Sequence, residues 1–152
     1  PGFRVSAAKI EKNTLVLNLN NTGFSLFRYP YPLLNQPVHD PGFPLPVASL
    51  LDLACMKLIA INQRGACKDF IDLKFIIEKT AYSMSDLLSA VGRKYNVGEE
   101  MFFQIKKSLV YFDDAERDLN VNMFSAESET FERLSPEEWL KTKQFFHEIA
   151  SS

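Results

Sequence analysis

Lys57 is the first residue whose type and spacing ask for chemistry. Its helical neighbours three and four positions away are Leu53, Ala54, Ala60 and Ile61. Burying an ammonium among such residues without a partner is costly. It must therefore snorkel along its stem, pair with an acid, or hold an anion. Asp69 and Asp72, three apart, share a face at the start of the next helical pattern, where acids also serve simply as partners of the helix dipole. Arg64, Gly65 and Lys68 lie at the corner between the two patterns, and Lys57, two helical turns before Arg64, reaches the same corner if the helices pack. Two acids and two bases around one turn suit a phosphate-and-metal edge or a salt-bridge knot, and both readings stand.

Other chemistries find less support. In Tyr111-Phe112-Asp113-Asp114-Ala115-Glu116, the spacing of Asp114 and Glu116 can hold Mg²⁺ on a strand, but the preceding helical periodicity splays them apart. The run reads as an acidic solvated turn. His39, His147, Cys55 and Cys67 show no metal-ligand spacing, and no Ser-His-Asp arrangement can be built from either histidine. Ser25 faces opposite to Phe24 and Leu26 on a strand. The six glycines are isolated from one another, so there is no glycine-rich phosphate loop.

The elements that must position Lys57 and its neighbours follow from patterning. Residues 3 to 29 read as β: Leu15, Leu17 and Leu19 alternate with Val16, Asn18 and Asn20, then Asn20-Asn21-Thr22-Gly23 turns and Phe24, Leu26 and Arg28 continue, with an upstream partner around Phe3 to Ala7. Residues 30 to 46 hold six of the eight prolines and read as a rigid connector. From Val47 on the pattern is helical. Ser49 and Asp52 form a capping box for a helix from about Leu50 to Gln63, closed by Gly65. Further helices are expected over Lys68 to Lys79, from the Ser83–Asp86 box to Tyr95, from Gly98 to Phe112 or beyond, and after Ser135-Pro136-Glu137-Glu138. In the last of these Trp139, Lys143, Phe146 and Ala150 form a stripe flanked by Thr142 and Ile149. Trp139 and the phenylalanines read as core.

A chain of 152 residues with 46% hydrophobic and 24% charged residues is one domain, or one domain with a small appendage. Disorder, collagen and coiled coil are excluded. The net charge of -2 excludes a global basic field, so any nucleic-acid contact must come from a local patch. The longest apolar stretch, Leu50 to Ile61, carries Asp52 and Lys57 and is too short to span a bilayer. No signal peptide opens the chain, and Cys55 and Cys67 read as reduced, buried fillers, so a cytoplasmic location without membrane is expected.

The stretch Val47 to Ile61 followed by Arg64 to Leu73 resembles the signature of the AbiEii/AbiGii toxin family, nucleotidyltransferase-fold proteins of abortive-infection toxin–antitoxin systems. The family pattern is a Ser-x-x-Asp/Glu-x-x-x-x-Lys helix, then Arg-Gly, then Lys/Arg-Asp-x-x-Asp-Leu. Ser49, Asp52, Lys57, Arg64, Lys68, Asp69 and Asp72 fall on it. Tyr29-Pro30-Tyr31-Pro32 and Tyr111 to Glu116 are similar too. The resemblance implies transfer of a nucleotidyl group from an NTP to an acceptor, with tRNA or another RNA a candidate. It implies Lys57, Asp69 and Asp72 as catalytic residues, with Lys57 on the nucleotide phosphates, and Arg64, Lys68 and Ser49 as substrate-binding residues. It also implies Mg²⁺ held by carboxylates, in-line expulsion of pyrophosphate, and a cognate antitoxin as partner.

The chain departs from this pattern in one respect. The fold's principal metal carboxylates lie on Gly-Ser and Asp-x-Asp segments, and neither occurs in these 152 residues. The strand that often gives a third carboxylate corresponds to Gly23 through Arg28 and offers only Ser25. The chain itself thus supplies no metal site. Either the usual front portion precedes Pro1, or the protein is a non-catalytic relative that binds nucleotide, RNA or an antitoxin. An unrelated α+β domain with a salt-bridge knot is the third reading. The expected architecture is α+β. Residues 1–46 form a partial nucleotidyltransferase sheet, antiparallel, with its Pro-rich connector, the sheet packing on the Ser49 helix. Residues 47–152 form a C-terminal helical bundle. A sheet without its neighbours would leave an exposed edge or apolar face and favour homo-oligomers.

Overall fold

A computed structural model describes residues 4–20, 22–125 and 129–151. The architecture is α+β, and the chain forms two compact units, Pro1–Pro32 and Leu33–Ser152. The first unit is an antiparallel sheet of β1 (Val5–Glu11), β2 (Thr14–Leu19) and β3 (Thr22–Phe27), in that order. Ala8, Leu17 and Phe24 are in register, as are Ile10, Leu15 and Leu26, so period-two alternation puts these six on one face. Ile10, Phe24 and Leu26 on that face are exposed. Asn13 at φ 68° turns the first hairpin and Asn20 at φ 50° opens the second. The four-residue turn expected over Asn20 to Gly23 is shorter, because Thr22 and Gly23 pair with Leu19 and Asn18 and the ladder runs to its end. The upstream strand is Val5–Glu11 instead of Phe3 to Ala7, and Phe3 and Asn21 lie outside the described residues.

The second unit begins with the proline-rich loop. Its regular pairing is a bridge in which Val38 and Val47 exchange backbone hydrogen bonds of 2.7 and 2.9 Å. Then follow α1 (Leu50–Arg64), α2 (Cys67–Thr80), α3 (Met84–Tyr95), α4 (Glu99–Ser108), the single turn α5 (Asp113–Glu116), the hairpin β4 (Asn122–Ser125) and β5 (Thr130–Arg133), and α6 (Pro136–Ser151). The core gathers Leu58, Phe70, Leu73, Leu87, Val91, Ile105 and Leu109. Beside them Phe70, Phe112, Trp139 and Phe146 meet in tilted and edge-to-face pairs with centroids 5.2 to 6.0 Å apart. Cys55 and Cys67 are free and buried, and burial pushes both thiols up to about 11.

Three further expectations needed correction. The fourth helix ends at Ser108, not Phe112, because Val110 and Tyr111 close onto Lys107 and Ser108 with tighter three-residue bonds. The acidic run is not a plain solvated turn. It forms α5, which buries Ala115, while Glu116 accepts from Trp139 Nε1 at 3.1 Å and Lys143 Nζ at 2.7 Å. Nor are all phenylalanines core, since Phe75, Phe103 and Phe131 are exposed.

Candidate functional site

The corner between α1 and α2 is built by Gly65. Its φ of 55° lies in the left-handed region, which ends α1 and lets α2 start within two residues and pack back on α1. That return brings Asp69 and Asp72 to Lys57. The ammonium donates to Asp69 Oδ1 at 3.1 Å and to Asp72 Oδ2 at 2.5 Å. Arg64 closes the cluster with a fork, Nε to Asp69 Oδ2 at 2.8 Å and Nη2 to Asp69 Oδ1 at 3.0 Å. Four of the six site residues read from the sequence thus meet in one network. Exposure falls from the rim inward: side chains are 67% exposed for Arg64, 35% for Asp72, 24% for Lys57 and 1% for Asp69.

The electrostatics follow from this arrangement. Burial alone would raise the Asp69 carboxyl, but its bonds to Arg64 and Lys57 outweigh that and hold it below the usual range. Burial would lower Lys57, and Asp72 and Asp69 overcome it, so the ammonium is held more firmly than usual. The bond to Asp69 likewise raises Arg64. Lys68 is exposed on the first turn of α2. With Arg64 it lines a groove of about 690 Å³ shared with Asp114, Asp118 and Phe131.

Ser49 stands two turns before Lys57 on α1, about 12 Å along the axis. Its hydroxyl accepts from the Asp52 N–H at 3.1 Å and donates to Asp52 Oδ2 at 2.7 Å. The expected box is only half made. Instead of reaching back to the Ser49 backbone, the Asp52 carboxylate accepts from the Leu34 and Asn35 N–H groups at 2.9 and 3.2 Å and from Lys94 Nζ at 2.6 Å. Asp52 and Lys94 are both 0% exposed. Burial would raise Asp52, but Lys94 and the other donors bring it down to about 2. Sequence reading missed Lys94. The signal was present, since Ala90, Val91 and Val97 at helical spacing surround Lys94 as apolar residues surround Lys57.

The described residues do not fit a bound Mg²⁺. Both Asp69 oxygens are turned to cations, and no three His, Cys, Asp or Glu side chains gather closely enough to hold a metal ion. Every buried side-chain nitrogen or oxygen among the described residues has a hydrogen-bond partner. Lys57, Arg64 and Lys68 keep solvent-facing surface. No helix among the described residues is long and apolar enough to cross a membrane.

Comparison with known proteins adds two findings. The model of a family described as nucleotidyl transferase AbiEii toxin, Type IV TA system, matches residues 21–148. An uncharacterized protein of Aquifex aeolicus is 38% identical over 132 residues, covering 86% of this chain and 63% of that protein. The chain therefore spans less than two thirds of the length of this relative. No solved structure matches the chain.

Proposed function

The chain belongs to the AbiEii nucleotidyl transferase toxin family, and we propose on that premise that it takes part in transferring a nucleotidyl group from an NTP to an acceptor. In that transfer an acceptor hydroxyl gives up its proton to solvent and its oxygen forms a bond to the α-phosphorus. The bond from the α-phosphorus to its bridging oxygen breaks, and pyrophosphate leaves. The observation that carries the reading is Lys57, an ammonium clamped by two acids from the facing helix yet still open to solvent. Its part would be to meet the charge of the leaving phosphates. Asp69 and Asp72 act as positioning residues that hold the ammonium at the corner. Arg64 and Lys68 add positive charge beside it, and Ser49 fixes the start of the helix that carries Lys57. RNA is the proposed acceptor class and an antitoxin the proposed protein partner, in the cytoplasm.

Calorimetric titration of each NTP into the chain tests this reading. Lys57→Ala should lower NTP affinity at least tenfold and shift the melting temperature little, while Lys57→Arg retains part of the binding. The second reading, a relative that binds without catalysing, is favoured by the full compensation of charge in the cluster. Wild-type chain that binds no NTP, together with a large fall in melting temperature for Lys57→Ala, would leave only a salt-bridge knot.

A further inference from the structure

We propose that the groove between α3 and α4 binds a single-stranded polynucleotide. The groove has a volume of about 750 Å³ and lies along the seam of the two helices. Its charged lining is cationic: Arg93 from α3 and Lys106 from α4, with Ser83, Ser85 and Ser89 beside them and no carboxylate. The nearest acid in sequence, Asp86, is turned to the Ser83 N–H and hydroxyl, which it holds as the cap of α3. Arg93 Nη1 donates to Ser89 Oγ at 3.0 Å, which props the guanidinium and leaves its other donors. Ser85 and Arg93 stand about 12 Å apart along α3, room for more than one phosphate.

The floor and the adjoining face of α4 supply what bare charge does not. Phe102 packs into the seam against Gly92, where a Cβ would come within 3.0 Å of the ring, so the aromatic floor depends on that glycine. One position further along α4, Phe103 is 68% exposed, and Lys107 Nζ stands 5.9 Å from its ring centroid. Residues four apart on a helix are neighbours, so Lys106 follows Phe102 on the groove side of α4, and Lys107 follows Phe103 on the face turned about 100° from it. A cationic track beside an exposed ring is what single strands use: phosphates meet cations and hydroxyls, and an unstacked base covers the ring. The acids of α4, Glu99 and Glu100, lie in its first turn, two turns from Lys106 and Lys107 and one turn before Phe103. A protein of net charge -2 thus still concentrates positive charge on one seam. None of these residues belongs to the Lys57 cluster, so the proposal stands or falls apart from NTP binding.

Fluorescence anisotropy of a labelled 12-nucleotide oligouridylate, titrated with the chain between 50 and 200 mM salt, tests it. The wild type should bind, with affinity falling as salt rises. Arg93→Gln with Lys106→Gln should weaken binding at least tenfold and reduce the slope of log affinity against log salt by about 1.4, the share of two phosphates. Phe103→Ala should weaken binding about fivefold or more and leave the slope unchanged. The melting temperature should stay within about 2 °C, as for surface positions. If the double variant folds poorly, Lys106→Gln alone should take about 0.7 from the slope. NTP calorimetry should read the same in all these variants. Failure of the wild type to bind, an unchanged slope in the variants, or equally tight binding of a poly-glutamate peptide would each overturn the proposal.

Discussion

Two ion-pair centres hang on α1, each built around a lysine and an aspartate, and they are separated by access to water. At Asp52–Lys94 both side chains are fully buried. Two backbone N–H groups of the loop, the Ser49 hydroxyl and Lys94 all point at the Asp52 carboxylate. That centre pins loop 34–35 and α3 to the first turn of α1 and offers a ligand nothing. At Lys57–Asp69–Asp72–Arg64 only Asp69 is sealed, and the two cations reach solvent. A lysine on an apolar stripe therefore marks a charge centre, and its exposure decides how much of that centre reaches water.

Breaking the sealed centre should have the largest effect. Lys94→Met leaves Asp52 buried without its ammonium, which costs about 3–5 kcal/mol and should lower the melting temperature by roughly 10 °C. Lys57→Met should cost clearly less, because Arg64 still holds Asp69 and Asp72 is a third exposed. Calorimetric melting of the two variants side by side checks the comparison. Equal losses would show that exposure does not separate the two centres.

Acid sharpens the same contrast. Asp52 is held at about 2 against an ordinary 3.8, so the folded state binds that proton less readily than the unfolded chain. The stabilisation, about 2 kcal/mol, is complete above pH 4 and is lost as pH falls from 4 towards 2. Asp69 shifts in the same direction. Lys57 shifts upward, so its contribution is present at neutral pH and is lost only above its ordinary 10.5. Urea midpoints measured from pH 7 to pH 2.5 should fall steeply below pH 4 in the wild type. In Asp52→Asn they should fall less, from a lower starting value.

The helix ends were legible because their signals are local. Ser49, Gly65, the Ser83–Asp86 box and Ser135-Pro136 each mark a boundary within a few residues of itself. The Lys57 cluster was legible too, since its partners are 12 and 15 residues away, across one turn. Lys94 was not, because Asp52 lies 42 residues away and had a sufficient local explanation as a capping acid. The hairpin of β4 and β5 escaped for another reason. Its strands are four residues each, too short for period-two alternation to rise above chance, and no Asn-Gly turn announces it. The register of the sheet was half legible: alternation gave the apolar face, while the hairpin lengths depend on which residues accept positive φ, and Asn13 and Asn20 both do.

The smallest expected effect is at the rim, and it separates charge from geometry. Arg64 is two thirds exposed and grips Asp69 with two nitrogens. Arg64→Lys keeps the positive charge but loses the fork, since an ammonium cannot match both carboxylate oxygens in one plane. An exposed pair contributes less than about 1 kcal/mol, so the melting temperature should move by only a few degrees. Lys57 would still compensate Asp69. If the corner merely knots two helices together, nothing else should change. If the corner presents charge to phosphates, loss of the guanidinium should weaken NTP binding severalfold at nearly constant stability, and calorimetry on the variant reads that ratio directly.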